Sequence, residues 1–401
     1  MRSGWRVKIS AATAAMTLAA LALCTAAATA STMWSIAYPH LPARASGGGR
    51  LNAVDCTSPS ACIAVGADTG AGHVTLPLIE RWNGHAWHVM VTPALPAAVR
   101  ASTLFGVACT GAGHCTAVGS TSTGANQSST LAERLSGGRW RLQPTPSNGT
   151  LAASLDAVSC PAVNACVAVG SRGGGALTER WNGGSWSDRT GAPAPPAGAT
   201  QSLSGVACTN VVFCVASGTE TYTSTSPNEA GTTYAPIADT FYRGAWGTEY
   251  LPTGSHSYVS LNAISCVADA ACAAVGYDIG QGEGSSLLRR ANGAWNTITD
   301  IGSASTGQRE SAVSCVTATS CLAVGSVATR SGPNPTVVTD SLSVTGWTPV
   351  AGQPAVDPPG GVRVTGDRMR GVSCPAADWC MEVGFWNSRL STGPLAEILR
   401  R

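Results

Sequence analysis

Apolar and polar positions along this chain fall into four short runs, and the set of four recurs seven times. The first run reads Leu-x-small-Val-x-Cys, as at Leu51–Cys56 and Leu155–Cys160, with Ile for Val at Leu261–Cys266. The second, Cys-x-Ala-Val-Gly, is apolar at successive positions, as at Cys62–Gly66 and Cys321–Gly325. That is the pattern of a strand buried on both faces. The third is Leu-x-Glu-Arg-Trp, clearest at Leu78–Trp82 and Leu177–Trp181. Asn83-Gly84, Asn182-Gly183 and Asn292-Gly293 follow the third-run positions as hairpin turn signals. The fourth run starts at a closing Trp and continues through stretches such as Trp140–Gln143. No window combines a helical period with caps. Four strands per unit and seven units predict an all-β, seven-bladed β-propeller with four strands per blade.

Fourteen of the 15 cysteines mark the units as Cys-x5-Cys pairs: Cys56/Cys62, Cys109/Cys115, Cys160/Cys166, Cys208/Cys214, Cys266/Cys272, Cys315/Cys321 and Cys374/Cys380. Each pair spans adjacent strands, so one disulfide per blade is expected. Zinc sites favour Cys-x2–4-Cys with more Cys or His nearby, whereas only 6 His occur, none at a repeating position. Redox catalysis would want Cys-x-x-Cys, which is absent. Neither a metal nor a cofactor is called for. Trp at 34, 87, 140, 186, 246, 295 and 347 opens each fourth strand. One Trp per blade at a fixed place fits packing between blades better than ligand stacking.

The two ends of the chain complement each other. The seventh unit stops after Leu395–Arg401 and lacks a fourth strand, while Met33–Pro39 resembles Trp87–Pro93. Residues 33–39 are therefore expected to pair as the outer strand of the last blade and close the ring. The resulting organisation is a leader at 1–30 and one propeller at 31–401. Within it, 31–50 supplies the outer strand of the last blade and a connection. Blades one to six span 51–103, 104–154, 155–202, 203–260, 261–309 and 310–368, and 369–401 supplies three strands of the seventh.

The leader reads as a signal peptide. Arg2, Arg6 and Lys8 precede an Ala-rich apolar run, and Ala28-Thr29-Ala30 forms a cleavage site before Ser31. Two alternatives remain open. The run could be retained as an anchor, or Cys24 could be lipidated, although Leu23 stands where a lipobox carries a small residue. Cleavage removes three cations and no acid, so the net charge of +2 becomes about −1. That balance argues against nucleic acid as a partner. No other apolar stretch is long enough for a transmembrane span, and export suits the disulfides. A closed ring has no open sheet edge that a second copy must cover, so a monomer is expected.

Ser-Cys-x5-Cys-x-Ala-Val-Gly and Trp-Asn-Gly-x-x-Trp together resemble the repeats of secreted actinobacterial propeller proteins, over about residues 31–401. The unit is more distantly similar to Asp-box (BNR) and Ycf48-like propellers. The Asp-box resemblance raises an enzymatic possibility, since sialidases carry that motif. Here, however, only the glycine matches, at Gly84 and Gly183; Glu80 and Trp82 stand where Ser and Asp should be. No sialidase catalytic residue maps onto this chain, so the resemblance implies a fold and no active site.

The variable connections, between second and third strands and between blades, open on one face, which becomes the candidate binding surface. Its least regular segments are the unit-four insertion Thr219–Pro236, with Tyr222 and Tyr234, and the later residues Tyr258, Tyr277 and Asp278. In the last unit, Phe385, Trp386 and Arg389 depart from the repeat, and Trp386 is the foremost expected ligand contact. Asp278 and Glu283 could form a carboxylate pair. The leading functional reading is a secreted non-enzymatic scaffold that binds a protein or cell-envelope glycan. The alternatives are a glycan-active hydrolase or lyase at the channel mouth and a structural envelope protein without a discrete ligand.

Overall fold

The repeated runs all become strands. The computed structural model describes residues 32–401 except 125–126, 147–150, 189–193, 225–230, 250, 252–258, 279–283, 299–306, 329–334 and 344–345. The leader belongs to a separate unit, Met1–Ser31, outside the described residues. Unit 3 shows the pattern: Ala153–Ala162, Ala165–Arg172, Gly175–Trp181 and Trp186–Asp188 pair in chain order, each antiparallel to the next. Five sheets have four strands. A sixth has eight, because units 1 and 2 are joined through one parallel pair, Thr75 with Ala101. Among the described residues the only helical element is a 3-10 turn at Ala71–His73.

The sheet of the last unit takes its fourth strand from the start of the chain. Met33–Ile36 pairs antiparallel with Thr392–Arg400, placing Trp34 opposite Leu399. Leu399 in turn faces Cys380. The order Cys62, Trp82, Trp87 in unit 1 is the same, so Trp34 occupies the place of the closing Trp. Five of these Trp are buried, at 87, 140, 186, 295 and 347, while Trp34 and Trp246 are half-buried against the same kind of apolar cluster.

Each Cys-x5-Cys pair is a disulfide between the first two strands of its unit: Cys56–Cys62, Cys109–Cys115, Cys160–Cys166, Cys208–Cys214, Cys266–Cys272, Cys315–Cys321 and Cys374–Cys380. The two members of a pair differ in surroundings. The second cysteines, Cys62, Cys115, Cys166, Cys214, Cys272, Cys321 and Cys380, are all buried in the apolar clusters. The first cysteines are half-buried, apart from the buried Cys56. The buried second cysteines are therefore packing elements of the frame, while Cys109, Cys160, Cys208 and Cys266 also line a cavity.

The serine before the first cysteine also has a use. Ser159, Ser265, Ser314 and Ser373 accept hydrogen bonds from the backbone N–H of Cys208, Cys315, Cys374 and Cys56, at 2.9–3.0 Å. Asp55 does the same for Cys109 at 2.6 Å. These bonds run from one unit to the next, and the Ser373–Cys56 bond joins the last unit to the first.

Ala-Val-Gly is explained by a bulge. In every first strand the pairing register skips the residue four before the first cysteine, as at Asn52 between Leu51 and Ala53. The glycine lies opposite that irregularity. A Cβ on Gly66 would sit 2.0 Å from the Arg50 carbonyl oxygen, and at Gly218 it would sit 2.0 Å from that of Ser202. Backbone occupies the space, so only glycine fits. The residue before the bulge is fully buried: Leu51, Leu104, Leu155, Leu203 and Leu261, then Glu310 and Met369. Each buried Leu contributes roughly 1.5–3 kcal/mol.

Candidate functional site

A bulge re-aims a side chain, and here seven bulges aim at one place. Asn52, Phe105, Asp156, Ser204, Asn262, Ser311 and Arg370 all line a cavity of about 770 Å³. Two positions on, Val54, Val107, Val158, Val206, Ile264, Val313 and Val372 form a ring that lines this cavity and a smaller one, of about 300 Å³, on its other side. The larger cavity lies toward the beginnings of the first strands. By chain topology the variable connections enter on that same side.

Charge around the cavity is uneven. The first strands of units 1, 6 and 7 run Gly49–Ser58, Gln308–Thr317 and Gly366–Ala376 and so begin before the expected unit bounds. They contribute Arg50, Arg309, Arg368 and Arg370, while the other four first strands place no cation among the lining residues. No carboxylate among the described residues pairs with any of the four. Arg309 lies over the Tyr277 ring, 4.9 Å from its centroid, and Arg370 over Phe385 at 5.8 Å. Arg370 is exposed to the cavity, and desolvation by the surrounding protein, reinforced by the charges of Arg368 and Arg50, lowers its pKa. Asp156 is the one acid among the described lining residues; burial raises its pKa to about 6 against an opposing hydrogen bond from Ser154. Asn52 and Asn262 are partly structural: their amides donate to the carbonyl oxygens of Leu104 and Glu310, at 2.8 and 2.6 Å.

The residues singled out from sequence separate into groups. Tyr277 and Phe385 line the cavity. Trp386 does not: it lies within the strand Trp379–Asn387, half-buried, opposite Gly393, and packs in the apolar cluster of units 6 and 7. Arg389 is exposed in the following turn. Tyr222 and Tyr234 are not on a loop, because the unit-four insertion extends the hairpin: Phe213–Ser224 pairs with Gly231–Tyr242 out to Ser224 opposite Gly231. There the Tyr222 hydroxyl donates to Glu220. Asp278 is buried at the end of Ala271–Asp278, and Tyr258 and Glu283 lie outside the described residues.

Arg50 and Arg309 escaped the sequence reading, and Arg368 and Arg370 lie on the first strand Gly366–Ala376. Aligning the units by their first cysteine would have found all four, since they fall four or six residues before it. The same alignment exposes a second set. The third-strand acid faces the Ala of Cys-x-Ala-Val-Gly and is buried in six units, as Glu80, Glu133, Glu179, Asp239, Asp340 and Glu397, with Leu288 in the remaining one. Burial raises the pKa of Glu80, Glu133 and Glu397 to about 8 and that of Glu179 to about 7. In unit 7 that Ala is itself replaced by Glu382, which accepts from Thr339 and faces Glu397.

No protein-family model matches this chain, and no curated protein matches it. Among solved structures it is similar to YCF48 bound to D1 peptide, over 92% of this chain and 94% of that one, with 11% identity and a TM-score of 0.52. It is also similar to U3-55K, over 92% and 98% of the two chains, with 11% identity and a TM-score of 0.54. At that identity the likeness speaks to the fold alone, and the fold it indicates is the propeller.

Proposed function

We propose that residues 31–401 form one seven-bladed propeller closed by the Met33–Ile36 strand, exported by the preceding leader and serving as a non-enzymatic binding scaffold. The partner is an extracellular protein or cell-envelope glycan, taken at the mouth of the larger cavity. The observation that carries this reading is the contrast inside the repeat: a frame repeated seven times aims seven bulge residues of five different kinds at one cavity. A purely structural ring has no use for such variety at its centre. Glycoside hydrolysis needs two carboxylates about 5–10 Å apart, whereas the described lining offers Asp156 alone. Seven disulfides suit an oxidising compartment. The similar protein bound to a D1 peptide lends the scaffold reading an analogy.

The test fills the cavity. Ser204→Trp with Ser311→Trp, screened against polysaccharide and peptide arrays beside the parent chain, is expected to lose the parent's binding while keeping its melting profile. Binding retained in the filled variant would place the ligand elsewhere.

A further inference from the structure

We infer that the crescent of Arg50, Arg309, Arg368 and Arg370 is a binding site for a dianionic phosphoryl-type group carried by the partner. The inference rests on the cavity reading above and specifies the chemistry of the site.

Three observations converge on it. The four cations come from the first strands of three consecutive units, 6, 7 and 1, given the Ser373–Cys56 link between last and first, and all line the same cavity. They have no carboxylate partner among the described residues, which distinguishes them from Arg44 and Arg290; those sit on Asp68 and Glu249 at 2.7 Å. Two of the guanidiniums are backed by rings, Tyr277 and Phe385, at the position directly after the Ala-Val-Gly glycine. In the other five units that position holds Ala67, Ser120, Ser171, Thr219 and Ser326. The only aromatic residues at this position therefore lie beside arginines. Stacking on a ring orients the guanidinium plane and leaves its N–H edge free for an anion.

Charge decides the class of anion. Arg368, Arg50 and Arg370 line one cavity, and the first two sit close enough to Arg370 to oppose its charge. A single carboxylate would offset one cation and leave that repulsion standing. A phosphoryl monoester carries about 1.5–2 negative charges and three acceptor oxygens, and arginine forks bind such oxygens in pairs. Asn52 and Ser311, beside the crescent, offer further polar contacts. Asp156, the one acid among the described lining residues, forms no ion pair with these cations.

The experiment titrates the mature chain calorimetrically at constant ionic strength with pyrophosphate, inorganic phosphate, glycerol phosphate, sulfate and acetate. Expected is pyrophosphate tightest and acetate weakest by at least tenfold. Glycerol phosphate matching inorganic phosphate indicates an esterified ligand, and sulfate matching it extends the class to sulfate esters. Arg368→Gln with Arg370→Gln should weaken pyrophosphate at least tenfold with an unchanged melting profile. Acetate binding as well as pyrophosphate, or the double Arg variant binding like the parent, overturns the inference. If that variant binds normally while the Ser204→Trp, Ser311→Trp chain does not, the cavity reading stands and the phosphoryl assignment falls. If both bind normally, both readings fall.

Discussion

Two rings of side chains, two residues apart on the same seven strands, obey opposite rules. The ring at Val54, Val206 and Val313 is Val or Ile in every unit, and its members are nearly buried between neighbouring units. The ring at Ser204, Ser311 and Arg370 changes from unit to unit and lines the larger cavity. The difference is geometric. The second ring sits on β-bulges, whose extra residue is excluded from the ladder. A bulge residue is released from the packing rule while its backbone stays fixed by a glycine partner, a disulfide and inter-unit hydrogen bonds. A repeat can thus hold its frame constant and vary its centre.

The comparison breaks most severely where the frame itself is opened. Removing residues 32–40 withdraws Trp34, Ile36 and Tyr38 from the cluster between units 6 and 7 and bares an edge of the last sheet. A loss of about 4 kcal/mol or more is expected, read as an earlier denaturant midpoint; an unchanged midpoint would speak against closure. Gly218→Ala places a Cβ 2.0 Å from the Ser202 carbonyl oxygen and should cost about 3 kcal/mol. Replacing Cys208 and Cys214 together by Ser removes a seven-residue loop closure, worth roughly 2 kcal/mol. Chemical denaturation of each variant checks these values.

A smaller effect concerns pH. Glu80, Glu133 and Glu397 titrate near 8 in the fold against 4.5 when unperturbed. The native chain holds protons that unfolding releases, so the stability they contribute is complete below about pH 4.5 and disappears as pH rises through 8. The melting temperature is therefore expected to fall by a few degrees between pH 5 and pH 9. Glu133→Gln, at a site where neither carboxylate oxygen has a partner, should flatten that slope. A melt that rises with pH over this range contradicts the assignment.

The frame was legible because it repeats. Cys-x5-Cys, the glycine of Ala-Val-Gly and the closing Trp each solve one local problem seven times, so noise in any unit is averaged by the others. Even the chain-end strand showed itself, since Trp34 repeats the context of Trp87. The site was less legible because it consists of departures from the repeat, and a departure has two meanings. Phe385 and Trp386 are adjacent departures, yet only Phe385 lines the cavity; Trp386 fills the apolar cluster beside it. Strand alternation separates them, since neighbouring residues of Trp379–Asn387 point to opposite faces. The unit-four insertion misled similarly: its Thr- and Tyr-rich sequence continues a hairpin where length alone suggested a loop.

The most direct test of the frame-and-centre account is the unfolding free energy of paired alanine variants on the same strand. Val206→Ala and Val313→Ala, in the constant ring, are expected to lose about 2 kcal/mol each. Ser204→Ala and Ser311→Ala, two residues upstream on the bulges, should stay within about 0.5 kcal/mol of the parent. Equal losses at the two rings would contradict the claim that the bulge frees the centre from the frame.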